Sequence, residues 1–119
     1  MVKILLVEDS EQIWDFLSRR LQRKGHEVVL AHDGEQGVNS AKATAPDIVL
    51  LDMNLPVMDG WTAIRKKKSL RPELPVFVVT AYMLNNEEHI SYEAGCDEYM
   101  TKPVNFSILA RKLKKYGLG

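Results

Sequence analysis

Short apolar, β-branched runs recur at Lys3–Val7, Glu27–Ala31, Ile48–Leu51, Val76–Val79 and Glu98–Met100, and a longer polar or amphipathic segment follows each. The alternation predicts five strands, each leading into a helix. The first, third and fourth runs are almost continuously hydrophobic, as strands buried on both faces of a parallel sheet between two helix layers must be. The second and fifth are more mixed and are predicted to form the sheet's edges.

The intervening segments read as helices with definite stops. Ser10 is a good N-cap for the first, which sets Ile13, Phe16, Leu17 and Leu21 on one stripe facing the sheet before Gly25 ends it. The second begins near Gly34 and ends before Pro46, the third opens at Asp59-Gly60 and ends before Pro72, and the fifth follows Pro103. The fourth, about Leu84 to Ala94, has only Ile90 and Tyr92 as large apolar groups between those ends. Its anchorage is predicted to be weak and its position movable. The expected fold is one α/β domain over residues 1–119: a five-stranded parallel sheet, order 2-1-3-4-5, flanked by five helices in the doubly wound, flavodoxin-like manner. No internal repeat, low-complexity linker or second domain is read after the last helix.

Composition narrows the function. At 119 residues, 45% hydrophobic and 27% charged, the chain has the balance of one globular domain with a core. Sixteen basic residues against sixteen acidic ones leave no positive footprint for nucleic acid, so a protein or small-molecule partner is expected. Cys96 is the only thiol, which excludes an internal disulfide and suits a reducing compartment, the cytoplasm by default. The apolar stretch Ile4–Val7 is too short for a signal-peptide core or a bilayer span, so no membrane role is expected.

In an open parallel sheet, ligands bind beyond the carboxyl ends of the strands, near the point where strand order reverses. The first strand ends in Glu8-Asp9, the third in Asp52, the fourth in Thr80, and the fifth leads through Thr101 to Lys102-Pro103. With the first and third strands adjacent, roughly 5 Å apart, three carboxylates crowd together. Their repulsion calls for a cation, and a hard divalent ion with oxygen ligands, magnesium above all, answers it. Lys102 adds a positive charge and Thr80 a hydroxyl donor, which together suit a phosphoryl group.

These residues, with Pro56 through Gly60 and Thr80-Ala81, resemble the receiver domains of two-component response regulators, of the chemotaxis-regulator-like single-domain kind. The likeness runs the length of the chain, in order. It implies that Asp52 is the phosphoacceptor, taking a phosphoryl group from the phosphohistidine of a histidine kinase or phosphotransfer protein as an acyl phosphate. It also implies that Asp9, Asp52 and the main-chain carbonyl of Asn54 bind magnesium, for which manganese can substitute, while Glu8 holds a metal-bound water. Lys102 would contact the phosphoryl oxygens. Thr80 and Tyr99 would form the switch: Thr80 drawn towards the phosphoryl group, Tyr99 turning from exposed to buried. By the same resemblance the bond before Pro103 is cis. The output surface would be the fourth helix, fifth strand and fifth helix, meeting a downstream protein or a second copy of the chain. Tyr82 and Asn54 match the variable pair that governs water access to the acyl phosphate, and the ring of Tyr82 should slow hydrolysis. Trp14, one turn past Asp9, would shield the site. Such a domain is a self-phosphorylating signalling module and not an enzyme acting on other substrates.

Three other readings fit these residues less well. A haloacid-dehalogenase-like phosphatase also uses a strand-end Asp nucleophile and magnesium, but needs a second Asp two residues on, where this chain has Asn54. A flavodoxin-like flavin carrier needs bare amides and hydroxyls after the first strand, where Glu8-Asp9-Ser10-Glu11 is acidic. A receiver-like module that binds partners without phosphorylation would have no use for an intact pocket. Asp59 before Gly60 reads as a turn and cap. Arg65-Lys66-Lys67-Lys68 reads as the solvated side of the third helix. The basic cluster Arg111-Lys112-Lys114-Lys115 favours the last helix's C-terminus through its dipole and could also grip an acidic partner. His26, His32 and His89 lack metal-ligand spacing and receive no role.

Overall fold

Five strands form one parallel sheet: β1 (Lys3–Val7), β2 (Glu27–Ala31), β3 (Ile48–Met53), β4 (Val76–Thr80) and β5 (Glu98–Thr101), in the order β2-β1-β3-β4-β5. The computed structural model describes residues 2–8, 11–53, 62, 64–66, 68, 69, 72–80, 87–101 and 105–118, and only the backbone of Glu11, Ile13, Trp14, Asp52, Met53, Glu87 and Glu88. The helices are α1 (Glu11–Arg23), α2 (Gly34–Thr44), α3 (the helical residues 62, 64–66, 68 and 69), α4 (Glu87–Ala94) and α5 (Phe106–Lys115). The mixed second and fifth runs are the edges, as their patterning requires.

Because side chains alternate along a strand, the hydrophobic runs feed two cores. On one face Leu5, Val7, Val49, Leu51, Val76 and Val78 meet Ala41 of α2, Ile64 of α3 and Ala94 of α4. On the other Ile4, Leu6, Ile48, Leu50, Phe77 and Val79 meet Leu17 and Leu21 of α1 and Leu109 and Leu113 of α5.

The first helix departs from its expected stripe at Phe16, which is 58% exposed while Leu17 and Leu21 are buried. At 3.6 residues per turn Phe16 lies about 100° round the helix from Leu17 and about 140° from Leu21, too far to share their face. Its ring instead lies 5.9 Å from the Arg20 guanidinium, which also stands 4.5 Å from the ring of Phe106. In α4 the large residues are not the anchors either. Tyr92 is exposed, Ile90 is half-buried, and the buried positions among its described side chains are the small Ser91 and Ala94.

Helix ends follow local chemistry. Asp33 caps α2, its carboxylate accepting from the Gln36 N–H at 2.7 Å, while Gln36 Oε1 reaches back to the His32 N–H at 3.1 Å. Asn105 caps α5 by accepting from the N–H groups of Ser107 and Ile108 at 3.0 and 3.1 Å. Gly25 ends α1 at φ +90, with the His26 N–H returning to the Leu21 carbonyl at 3.2 Å. That left-handed turn is the one foreseen for this glycine. Ser10, Asp59 and Gly60 lie outside the described residues.

Candidate functional site

Sheet register assembles one end of the molecule. Val7 pairs with Leu51, so Glu8 and Asp52, each one residue further on, leave neighbouring strands side by side. Asp52 pairs with Val79, Met53 with Thr80, and Thr80 with Thr101. The carboxyl ends of β1, β3, β4 and β5 therefore meet at one edge, the place where order reverses between β1 and β3.

Glu8 is 1% exposed and Thr80 fully buried, two polar side chains buried at the carboxyl ends of their strands. Such groups are buried only where their polarity is used. The Glu8 backbone is fixed by its N–H donating to the Ala31 carbonyl at 3.0 Å. Thr80 follows Val76 and Val78 on the side of the sheet covered by α3 and α4. Tyr99 is half-buried, packs against the core of that same side and pairs with Val78, two residues below Thr80. Thr80 and Tyr99 thus occupy one face of adjacent strands, and Tyr99 already lies partly inward.

Glu8 and Asp52, which the register brings together here, are carboxylate-bearing residues, the donor type that a hard cation takes; among the described residues no group of three or more His, Cys, Asp or Glu is arranged to hold a metal ion. Asp9, Asn54, Tyr82, Lys102 and Pro103 lie outside the described residues, as do the side chains of Asp52 and Trp14, and with them the expected cis bond and the expected roles of the lysine and the two rings. His26, at the other end of the sheet, is held below its ordinary pKa by burial and by nearby positive charge that includes Lys24.

Two ionic clusters at the opposite end were not legible beforehand. Lys68, expected to be solvated, is half-buried and donates to Asp97 Oδ2 at 2.7 Å. Glu98, 6% exposed, accepts from Lys112, from Lys115 at 3.1 Å and from the Tyr116 hydroxyl at 2.9 Å. Burial alone would raise the Glu98 carboxyl; the bonds from Lys112, Tyr116 and Lys115 outweigh it and hold the pKa at about 2 against an ordinary 4.5. A charged residue opening a strand is the one signal that could have indicated this partnership.

Comparison with known proteins agrees with the geometry. The pattern of the Response regulator receiver domain matches residues 4–114, and the chain belongs to that family. It is 36% identical over 101 residues to the alkaline phosphatase synthesis transcriptional regulatory protein PhoP of Bacillus subtilis, covering 85% of this chain and 42% of that protein. A CheY-like receiver domain protein from Methanospirillum hungatei superposes with a TM-score of 0.86 at 32% identity, over 97% of this chain and 92% of the other. The response regulator TrrA of Thermotoga maritima, solved in complex with Mg(2+)-BeF, gives 0.85 at 30% identity over 98% and 99%. The chain spans less than half the length of the curated relatives it matches. It is a receiver domain of the two-component signalling kind, the family that its pattern and its relatives share. No helix among the described residues is long and apolar enough to cross a membrane.

Proposed function

We propose that this domain is a phosphorylatable switch in which Asp52 takes a phosphoryl group from the phosphohistidine of a histidine kinase or phosphotransfer protein. The observation that carries the reading is the register that brings Glu8, Asp52 and Thr80 to one edge of the sheet in a member of the receiver family. The Asp52 carboxylate attacks phosphorus, the phosphorus–nitrogen bond of the donor breaks, and an acyl phosphate forms. Asp9, Asp52 and the main-chain carbonyl of Asn54 would hold magnesium, or manganese in its place, with Glu8 joined through water. When bound, the ion supplies positive charge against the phosphoryl oxygens. Lys102 supplies a second positive charge there, and Thr80 a hydroxyl. The TrrA complex with Mg(2+)-BeF supports this assignment by analogy.

Output follows from the Thr80 and Tyr99 pair. Drawing Thr80 towards the phosphoryl group would open room for Tyr99 and alter the face made by α4, β5 and α5. A downstream protein or a second copy of the chain then binds that face, in the cytoplasm. The balance of sixteen basic and sixteen acidic residues supports a protein partner over nucleic acid.

Incubation with acetyl phosphate and magnesium should add one phosphoryl group, seen by intact-mass spectrometry, and Asp52→Asn should add none. Equal modification of the variant would defeat the assignment. Beryllofluoride with magnesium should change amide exchange across residues 82–105 more than in α2; larger changes in α2 would place the output surface elsewhere.

A further inference from the structure

The start of β5 is gripped from both faces of the sheet. On the α3 side, Asp97 Oδ2 accepts from Lys68 Nζ at 2.7 Å and from the Val76 N–H at 2.8 Å. The same ammonium donates to the carbonyls of Leu74 at 2.9 Å and Pro72 at 3.3 Å. The Asp97 N–H returns to the Val76 carbonyl at 2.7 Å, and the Cys96 N–H to the Ser91 carbonyl at 3.1 Å. Gly95 stands at φ +117, and a Cβ there would come within 3.0 Å of Lys68 Cγ, so the lysine stem packs directly on the turn. On the α5 side, the next residue, Glu98, is held by Lys112, Lys115 and Tyr116.

Consecutive side chains pointing to opposite faces thus tie one short segment to α3, to the first residue of β4 and to the end of α5. Attachments on both faces resist sliding of the segment and leave rotation about it as the easier motion. The other ends of the two elements it joins are held differently. β5 runs on, paired with β4, to the exposed Thr101, and in α4 His89 is exposed and pairs with Glu93 of its own helix, the buried positions among its described side chains being Ser91 and Ala94.

We propose that residues 95–98 are a stationary pivot, with Lys68 and Glu98 as its positioning residues, about which the far end of β5 and the first turns of α4 swing when the domain switches. The proposal rests on the phosphorylation reading for what throws the switch, and the clamp itself can be tested without it. It confines the moving part of the output surface to the half nearest Asp52: the start of α4 and residues 99–101. The end of α5 stays fixed.

Residue-resolved amide exchange tests this in two arms. In untreated protein, the Val76 and Asp97 amides should exchange more slowly than that of Thr101, and Lys68→Met should speed Val76 by about tenfold, the scale of one charge-assisted hydrogen bond, without moving Leu5 or Leu50. An unchanged Val76 rate in the variant would overturn the clamp. With beryllofluoride and magnesium, protection should change at 87–91 and 99–101 and hold at 95–98, and in Lys68→Met the change should spread into 95–98. Equal changes at 95–98 and 99–101 in the wild type would overturn the pivot. No change in any of these segments, with the untreated arm intact, would instead overturn the switch reading and leave the clamp as a static brace. Should Lys68→Met fail to fold, the wild-type comparisons alone decide.

Discussion

Replacing Glu98 by glutamine removes the charge that Lys112 and Lys115 were placed to meet, in a position only 6% exposed to water. The size of the effect follows from the carboxyl's displacement from 4.5 to about 2. At 1.36 kcal/mol per unit, that interval is about 3 kcal/mol favouring the folded state at neutral pH. Removing one member of a buried pair commonly costs about 3–5 kcal/mol. The lower end applies here, because the side chains of Lys112 and Lys115 are 26% and 67% exposed and water can take over part of their solvation. The folded-state pKa is depressed, so the contribution is present above pH 4.5 and lost as pH falls through about 2. Urea titrations of wild type and Glu98→Gln should differ by about 3 kcal/mol at pH 7 and by under half of that at pH 3. Taking the difference cancels the other carboxylates. A gap below roughly 0.5 kcal/mol at pH 7, the level of an ordinary surface change, or a gap that does not narrow towards pH 3, would refute the reasoning.

Two further changes probe other parts of the account. Tyr82→Asn and Tyr82→Glu should each shorten the lifetime of the acyl phosphate several-fold, measured as the decay of phosphorylated protein after the donor is removed; unchanged decay in both would discard the shielding role of the ring. Asn105→Ala should cost about 1 kcal/mol by taking the acceptor from two N–H groups of α5, lowering the melting temperature by roughly 4 °C, while Asn105→Ser should restore most of the loss. Equal losses in the two variants would mean the cap is not what Asn105 contributes.

The sheet was readable because its signal is local and repeated. Val76 to Val79 can be little else than a strand buried on both faces, and Gly25 and Pro46 punctuate where the backbone must turn. The edge carrying Glu8, Asp52 and Thr80 was readable for the same reason: strand ends follow from strand runs, and parallel order brings them together. Phe16 reads as part of the apolar stripe because it lies one residue from it, although helical geometry turns it outward. Lys68 reads as a solvated charge because its partner, Asp97, is 29 residues away, and nothing in a basic run says which member lies against a turn. Glu98 and Tyr116, 18 residues apart, join only once α5 has docked on β5. Pairings of that kind belong to the packed chain and leave no periodic trace in the sequence.

Asp52 is the one carboxylate proposed to receive the phosphoryl group. Borohydride reduces an acyl phosphate to the alcohol, so a phosphorylated aspartate becomes homoserine, a change that peptide sequencing by mass spectrometry assigns to a single position. After treatment with acetyl phosphate and magnesium, homoserine should appear at position 52 and nowhere else, and it should be absent when magnesium is withheld with a chelator. Homoserine at position 9 or another acidic residue, or a phosphoryl group that resists borohydride because it sits on a hydroxyl or an imidazole, would contradict the account.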